Sequence, residues 1–144
     1  MKTTKASISV FLLCFLILGN INTVEAKVEC TKGNSDYSID FAMLKEVAPQ
    51  ASDRVGQFGA EKKQIGTLNI YKTLGDKVIL HKTLDAQALY EDAYAVIWAE
   101  DKKGDQYKVD INFSEKDDSH LYFLDGSDEH NPSFRTLLKR CTGR

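Results

Sequence analysis

Proline, cysteine and histidine are all scarce in this 144-residue sequence, with two, three and three copies. Two prolines and no low-complexity stretch argue against a disordered or linker-like chain. No histidines or cysteines stand at metal-ligand spacing, so no metal-binding motif is present. The formal net charge is −2, without the basic excess of a nucleic-acid-binding domain. We therefore expect a folded domain that needs no metal or other cofactor and does not bind nucleic acid.

Apolar runs of membrane length are also missing. The longest run, residues 8–18, has about eleven residues, whereas a bilayer core needs roughly 20. It follows a short basic head and precedes Val24 and Ala26, which place small residues three and one before a cleavage site. We predict that residues 1–26 are a signal peptide and that residues 27–144 are secreted and extracellular, outside any membrane. The alternative is an N-terminal membrane anchor.

The cysteine count changes when the signal peptide is removed. Cleavage leaves 118 of the 144 residues, enough for one domain, and loses Lys2, Lys5 and Glu25, so the net charge falls from −2 to −3. Cys14 also leaves, and Cys30 and Cys141 remain as an even pair in an oxidising compartment. We predict a disulfide between them, contributing roughly 4–5 kcal/mol on the chain-entropy account. The alternative is two free thiols.

Both ends of the mature chain are predicted to be helical. Residues 36–55 are ambiguous, because an alternating apolar pattern favours a strand and a second pattern fits a helical face. The composition of residues 42–48 favours the helix, which Pro49 would end. Near the C-terminus Asn131 can cap a short helix and Pro132 suits its first turn. The residues behind these patterns are Tyr37, Ile39, Phe41 and Met43 for the strand, Phe41, Leu44, Val47 and Ala48 for the first helix, and Phe134, Leu137, Leu138 and Cys141 for the second.

Strands are predicted between the two helices. Residues 65–84 form a hairpin that turns at Gly75 and Asp76, and residues 85–92 form a polar link. Three further strands cover residues 94–100, 106–113 and 120–124. The predicted fold class is α+β, with an antiparallel sheet of about five strands, a helix at each end and one disulfide joining the termini.

Catalytic chemistry has one candidate constellation. His81 and His120 on neighbouring strands, with Glu100 and Arg135 nearby, could supply a base, an acid and a cation for phosphodiester cleavage. The alternative, which the lack of any motif favours, is that these histidines and His130 are solvated surface residues. The chain has no serine-nucleophile elbow and no phosphate-binding glycine loop.

Other motifs are weaker. Residues 125–129 are acidic but lack the spacing of a calcium-binding EF-hand, which favours a solvated turn. Asn112 begins a glycosylation acceptor sequence at a strand end, where modification is sterically feasible. Three aromatic residues of the strongest strands are predicted to be core rather than a ligand cage: Tyr94, Trp98 and Tyr107.

The layout of the mature chain resembles that of the secreted ribonuclease-like effectors of powdery mildew fungi. The start at residues 27–30, a helix, a sheet with a hairpin at residues 94–113 and a cysteine near the end carry this resemblance. Val28 departs from it, because the family has an aromatic residue there, and so does the extra C-terminal helix. Most members of that family look catalytically dead, so the resemblance implies binding of host components rather than catalysis.

These observations favour a secreted interaction protein over an enzyme. We expect an effector, inhibitor or toxin-like factor, with a role in virulence as one form, that binds an extracellular or host protein. One alternative is a small ribonuclease-like hydrolase using His81, Glu100, His120 and Arg135. The other is a carrier of a small apolar ligand inside a barrel or cupped sheet, although 118 residues is short for an eight-stranded barrel with a cavity.

Overall fold

The computed structural model describes residues 27–114, 118–124 and 132–143. Every regular element among them is a strand, and none of these residues belongs to a helix that could cross a membrane. The predicted signal peptide, residues 1–26, lies outside the described residues, as does Asn131. The strands are β1 (Lys27–Lys32), β2 (Tyr37–Val47), β3 (Arg54–Val55), β4 (Phe58–Gly59), β5 (Lys62–Leu74), β6 (Lys77–Glu91), β7 (Tyr94–Glu100), β8 (Gln106–Asn112), β9 (Ser119–Leu124) and β10 (Phe134–Thr142).

Eight of these strands close into one antiparallel barrel. Around the barrel the order is β1, β10, β9, β8, β7, β6, β5 and β2, and β2 pairs again with β1. Each long strand therefore lies beside its neighbours along the chain, and pairing of the first strand with the last closes the sheet. This is an up-and-down barrel, in which closure leaves no open sheet edge along the paired parts of the strands. Strands β3 and β4 form a separate hairpin.

Alternating side chains fill the barrel interior. On β8, Tyr107, Val109 and Ile111 point inward, as their alternation predicts, and equivalent positions on the other strands meet them. Phe41, Leu68, Ile70, Ile97, Val109 and Leu121 are completely shielded from solvent. Burying a side chain of this kind contributes about 1.5–3 kcal/mol, so the packed interior is the main source of stability.

Several sequence predictions are confirmed. The hairpin turns at Gly75 and Asp76, and the strand predicted at residues 94–100 is β7. The disulfide between Cys30 and Cys141 is present. It joins β1 to β10, two strands that also pair directly, so it lies at the seam where the barrel closes.

The predicted α+β fold class is wrong, and so is the N-terminal helix. Residues 37–47 form strand β2, which pairs with β1 on one side and β5 on the other. Ile39 and Phe41 point into the core, so the alternating pattern was the informative one. Residues 42–48, whose composition favours a helix, lie mostly at or after an irregularity in the strand pairing between Met43 and Lys45. Side chains in this part of β2 are exposed.

The predicted C-terminal helix is strand β10. Its apolar residues at helical spacing are distributed over both faces of the strand, with Thr136 and Leu138 buried and Leu137 partly exposed. Its pairing with both β9 and β1 overrides the local helical pattern. Arg140 has a positive φ of 50°, a conformation outside the usual range of both helices and strands.

The predicted link at residues 85–92 and the count of about five strands are also wrong. Strand β6 continues through this link to Glu91, with Ala86, Ala88 and Tyr90 inward. Small alanines at inward positions made the alternation hard to recognise. Eight strands fit into 118 residues because turns such as Gly75–Asp76 are short and because side chains, rather than a large cavity, occupy the interior.

A substitution at Gly66 tests the tight packing between β2 and β5. A Cβ atom there would overlap the carbonyl oxygen of Ala42 and stand 2.9 Å from Cζ of Phe41. We expect Gly66→Ala to lower the free energy of unfolding by about 1–3 kcal/mol or more, because two strands must separate to admit the methyl group. Chemical denaturation of the purified chain measures this difference.

Gly59→Ala is the matched control, because a Cβ atom at Gly59 would meet no atom within 4 Å. Its free energy of unfolding should change by only about 0.5 kcal/mol. Equal stability of the two variants would contradict the packing described for β2 and β5.

Candidate functional site

The connection between β2 and β5 crosses the outer surface of the barrel, and we call residues 48–61 the strap. The β3–β4 hairpin lies within it. Val55 of this hairpin is 6% exposed and packs with Leu89 of β6 and Val96 of β7. Ala60 and Trp98 border the same cluster. The strap is therefore held against the barrel by a second, smaller core outside the main one.

Asp53 is the polar anchor of the strap. It is 8% exposed, and its carboxylate accepts a hydrogen bond from the backbone N–H of Gln50 at 2.7 Å. The ammonium group of Lys63 lies 3.1 Å from the same carboxylate, and the N–H of Ala60 donates to the carbonyl of Asp53 at 2.9 Å. The bond from Gln50, followed by the contact with Lys63, holds the pKa of Asp53 below its usual value, although burial opposes this shift.

Two grooves border the strap. The main groove, of about 800 Å³, lies between the strap and the outer face of β6, β7 and β8. The second groove, of about 390 Å³, includes Phe58 and Tyr94. Both volumes fall in the range of ordinary ligand sites. The main groove combines apolar side chains with charges of both signs: Arg54, Asp85, Leu89, Val96, Trp98, Glu100 and Lys108.

Aromatic and cationic side chains alternate across the outer face beside the main groove. The register places Trp98 of β7 beside Lys108 of β8, and Lys108 beside Tyr122 of β9, which pairs with Arg135 of β10. The ammonium of Lys108 is 5.3 Å from the Trp98 ring and 5.6 Å from the Tyr122 ring, and the guanidinium of Arg135 is 5.7 Å from the Tyr122 ring. Cation–π attraction at these distances orders these side chains relative to one another.

The four residues predicted as a hydrolytic site are only partly brought together. A ring nitrogen of His120 lies 3.1 Å from the guanidinium of Arg135. Burial, and then the Arg135 charge, lower the pKa of His120. Glu100 borders the main groove on β7, with β8 between it and the strand of His120. His81 lies on β6 with its ring centroid 5.6 Å from that of Tyr37.

Aromatic side chains occupy both ends of the barrel interior. At the end that contains His81, the rings of Tyr37, Phe123 and Phe134 meet one another at centroid distances of 4.9–5.4 Å. At the other end the hydroxyl of Tyr90 donates to Gln64 at 2.8 Å, and burial raises the pKa of Tyr90 to about 12. The described side chains at both ends of the interior therefore pack against one another.

The remaining predicted positions have mixed outcomes. Tyr107 is in the main core, Trp98 borders the strap core and Tyr94 is 41% exposed. Asn112 lies at the end of β8 but is 5% exposed, and it accepts a hydrogen bond from the N–H of Ser114. Residues 125–129 and His130 lie outside the described residues. Across the described part of the chain, no three His, Cys, Asp or Glu residues are grouped to hold a metal.

Sequence reasoning missed the strap entirely. Asp53 and Phe58 belong to it, yet the sequence pattern predicts a helix that ends at Pro49 and no element that contains Asp53 or Phe58. One signal was present in the sequence, where Gly56 and Gln57 separate the apolar residues Val55 and Phe58. In the structure these two residues form the turn of the hairpin, and Gly56 has a φ of 62°. Such a turn between apolar residues is typical of a hairpin.

No family model, curated protein or solved structure matches this chain.

Acid should loosen the strap. Because the native pKa of Asp53 is depressed, its contribution to stability is complete above its ordinary value of 3.8 and is lost as the pH falls through the native value. The sequence has a single tryptophan, Trp98, and it borders the strap core. We expect its fluorescence to shift to longer wavelength when the pH falls below 3.8, as the strap detaches.

Asp53→Asn should produce this red shift at neutral pH, because the amide removes the charge that pairs with Lys63. Asp36→Asn, an exposed substitution in the β1–β2 loop, is the matched control and should leave the emission unchanged. Identical spectra for Asp53→Asn and the unmodified chain at neutral pH would contradict the anchoring role of Asp53.

Proposed function

We propose that this chain is an extracellular binding protein that recognises a partner protein with the surface around the strap. We define the strap surface by Arg54, Phe58, Tyr94, Trp98 and Lys108. Effectors, inhibitors and toxin-like factors all belong to this functional class, and a partner from a host organism is one form that it takes.

The observation that carries the proposal is the position of Phe58. This side chain is 63% exposed on β4, in a hairpin that Val55 and Asp53 anchor to the barrel, and it borders the second groove. Phe58 is not isolated, because Tyr94, which is 41% exposed, borders the same groove. Exposed apolar side chains that lie together mark interaction sites, whereas single ones do not. Because the segment is already anchored to the barrel, the chain loses less conformational entropy when a partner binds.

The composition of the strap surface supports the same proposal. Tryptophan, tyrosine and arginine are the residues that most often dominate the binding energy of protein interfaces, and Trp98, Tyr94 and Arg54 all border the two grooves. The main groove also has charges of both signs, which can orient a polar partner segment.

The cellular location is part of the proposal. The Cys30–Cys141 disulfide is compatible with an extracellular location, where such bonds persist. The predicted signal peptide would deliver the chain there.

The packed interior favours binding on the outside over the carrier alternative. The core cluster spans all eight barrel strands, and aromatic rings occupy both of its ends. A small apolar ligand would have to displace this packing, whereas the strap surface is accessible without rearrangement.

Removal of the Phe58 ring tests the proposal. We would immobilise residues 27–144, capture proteins from extracellular fluid of the source organism and of any host, and measure binding of the captured partner to variants. Phe58→Ser should weaken binding at least tenfold, because a hot-spot aromatic typically contributes about 2 kcal/mol or more.

Leu44→Ser is the matched control, because Leu44 is 73% exposed on β2, away from the strap grooves. It removes a similar apolar area and should bind like the unmodified chain. Both variants should keep their thermal stability. The proposal fails if no partner is captured, or if Phe58→Ser binds as tightly as Leu44→Ser.

A further inference from the structure

The β5–β6 hairpin extends beyond the closed part of the barrel, and we call residues 71–81 the arm. Strand β2 pairs with β5 only as far as Lys72. Strand β6 pairs with β7 only from Ala86 to Glu91, so residues 77–85 have β5 on one side and no strand on the other among the described residues. The arm therefore presents a free strand edge to solvent.

This free edge is apolar. Seven large hydrophobic side chains are exposed among the described residues, and four of them lie on the arm: Leu74, Val78, Ile79 and Leu80, which are 45–64% exposed. Exposed apolar edges of this kind pair readily with another strand, and proteins that leave them uncovered usually protect them with charges or bulges. Three of these side chains, Val78, Ile79 and Leu80, are consecutive on the free edge of β6.

The register assigns the arm residues to two faces. The pairing is irregular between Ile70 and Tyr71, and beyond that point Leu80 pairs with Tyr71 and Ile79 with Lys72. The hydroxyl of Tyr71 bonds to Asp40 at 2.7 Å, on the outer side of β2, so Leu80 and Val78 belong to the outer face.

The opposite face of the arm looks over the end of the barrel. The ammonium of Lys72 is 5.6 Å from the Tyr37 ring, and His81 is 5.6 Å from the same ring. Ile79 pairs with Lys72, so Ile79 and His81 share this face, which we call the rim face.

We propose that the arm is a dimerisation element: a second copy of this chain adds its own β6 edge antiparallel to the first, about a two-fold axis through Ile79. In this register Val78 lies opposite Leu80 of the second copy on the outer face, and this apolar pair occurs twice. Ile79 lies opposite its own counterpart on the rim face. Direct cross-strand apolar pairs are the contacts that stabilise antiparallel sheets.

The charged residues beside the arm do not oppose this register. Lys82 lies beyond the irregularity at His81, and its ammonium is 3.5 Å from the carboxylate of Asp101 in the same chain. Lys77 comes opposite His81. Burial, followed by Lys82 and Lys72, lowers the pKa of His81, which disfavours a positive charge beside the second copy's lysine.

A shift of one residue would destroy this match. It would place Val78 opposite Ile79 or His81, which lie on the other face, because successive side chains of a strand alternate. Shifts of two residues keep the faces but place Asp76 opposite Leu80 or Ile79 opposite His81, so the register centred on Ile79 gives the most apolar pairs. This self-complementarity is why we assign the edge to a second copy and not to an unrelated strand. A two-fold interface of this kind closes after two subunits.

The arm and the strap lie at opposite ends of the barrel strands, since the arm contains the end of β5 and the strap precedes its start. The dimer would therefore leave both strap surfaces accessible. The inference does not depend on the proposed function, and a monomeric chain could still bind through the strap.

Sedimentation over a concentration series of residues 27–144 tests the dimer. The unmodified chain should show a reversible monomer–dimer equilibrium. Val78→Lys and Leu80→Lys should lose the dimer, because each places a charge against an apolar side chain of the second copy. Leu44→Lys, which changes an exposed leucine elsewhere, should keep it. A chain that stays monomeric at every concentration, or a dimer that Val78→Lys leaves unchanged, would overturn the inference.

Cysteine cross-linking tests the register. Ile79→Cys should form an intermolecular disulfide with itself, because facing Cβ atoms in an antiparallel pair are about 4.5–5.5 Å apart. Val78→Cys and Leu80→Cys should cross-link when mixed and much more slowly alone. Peptide mapping should show that Cys30–Cys141 stays intact. Cross-linking of Ile79→Cys no faster than that of Leu44→Cys would exclude the proposed register.

Discussion

Pairing between the first and last strands of the barrel is the constraint on which the rest of this structure depends. Glu29 lies opposite Thr142, and Lys32 lies opposite Leu138, so the two ends of the chain complete the sheet. The Cys30–Cys141 disulfide spans the same seam. Without this pairing β1 and β10 would be open edges and the interior side chains would face water. With it, one core cluster receives side chains from β1, β2 and every later barrel strand.

Closure also determines where function can reside. A small barrel whose interior is packed cannot bind a ligand there without losing core contacts, so we place the proposed binding on the segments that leave the barrel. There are two such segments in the described chain. The strap is attached by its own small core and by the pair of Asp53 with Lys63, and it exposes Phe58. The arm leaves an apolar strand edge at the opposite end.

Strands β7 and β8 were predictable from sequence because their signals are local. Strand β7 contains β-branched and aromatic residues in an unbroken run, and β8 alternates cleanly, so both were recognised. Strands β2 and β10 were not, because Leu44 and Leu137 complete helical patterns and only pairing with distant strands excludes a helix. The disulfide was predictable because Cys30 and Cys141 are the two cysteines outside the predicted signal peptide. The candidate site was not: the strap depends on contacts such as Val55 with Leu89, which no local pattern encodes.

Amide hydrogen exchange of the oxidised protein tests the closure of the barrel most directly. If β1 and β10 pair as described, the bonded amides of Lys27–Lys32 and Phe134–Thr142 exchange as slowly as those in the middle of β5 and β6, because all of them open only when the barrel unfolds. Rapid exchange throughout β1 and β10, beside strong protection of β5–β8, would contradict the closed barrel and the account that depends on it.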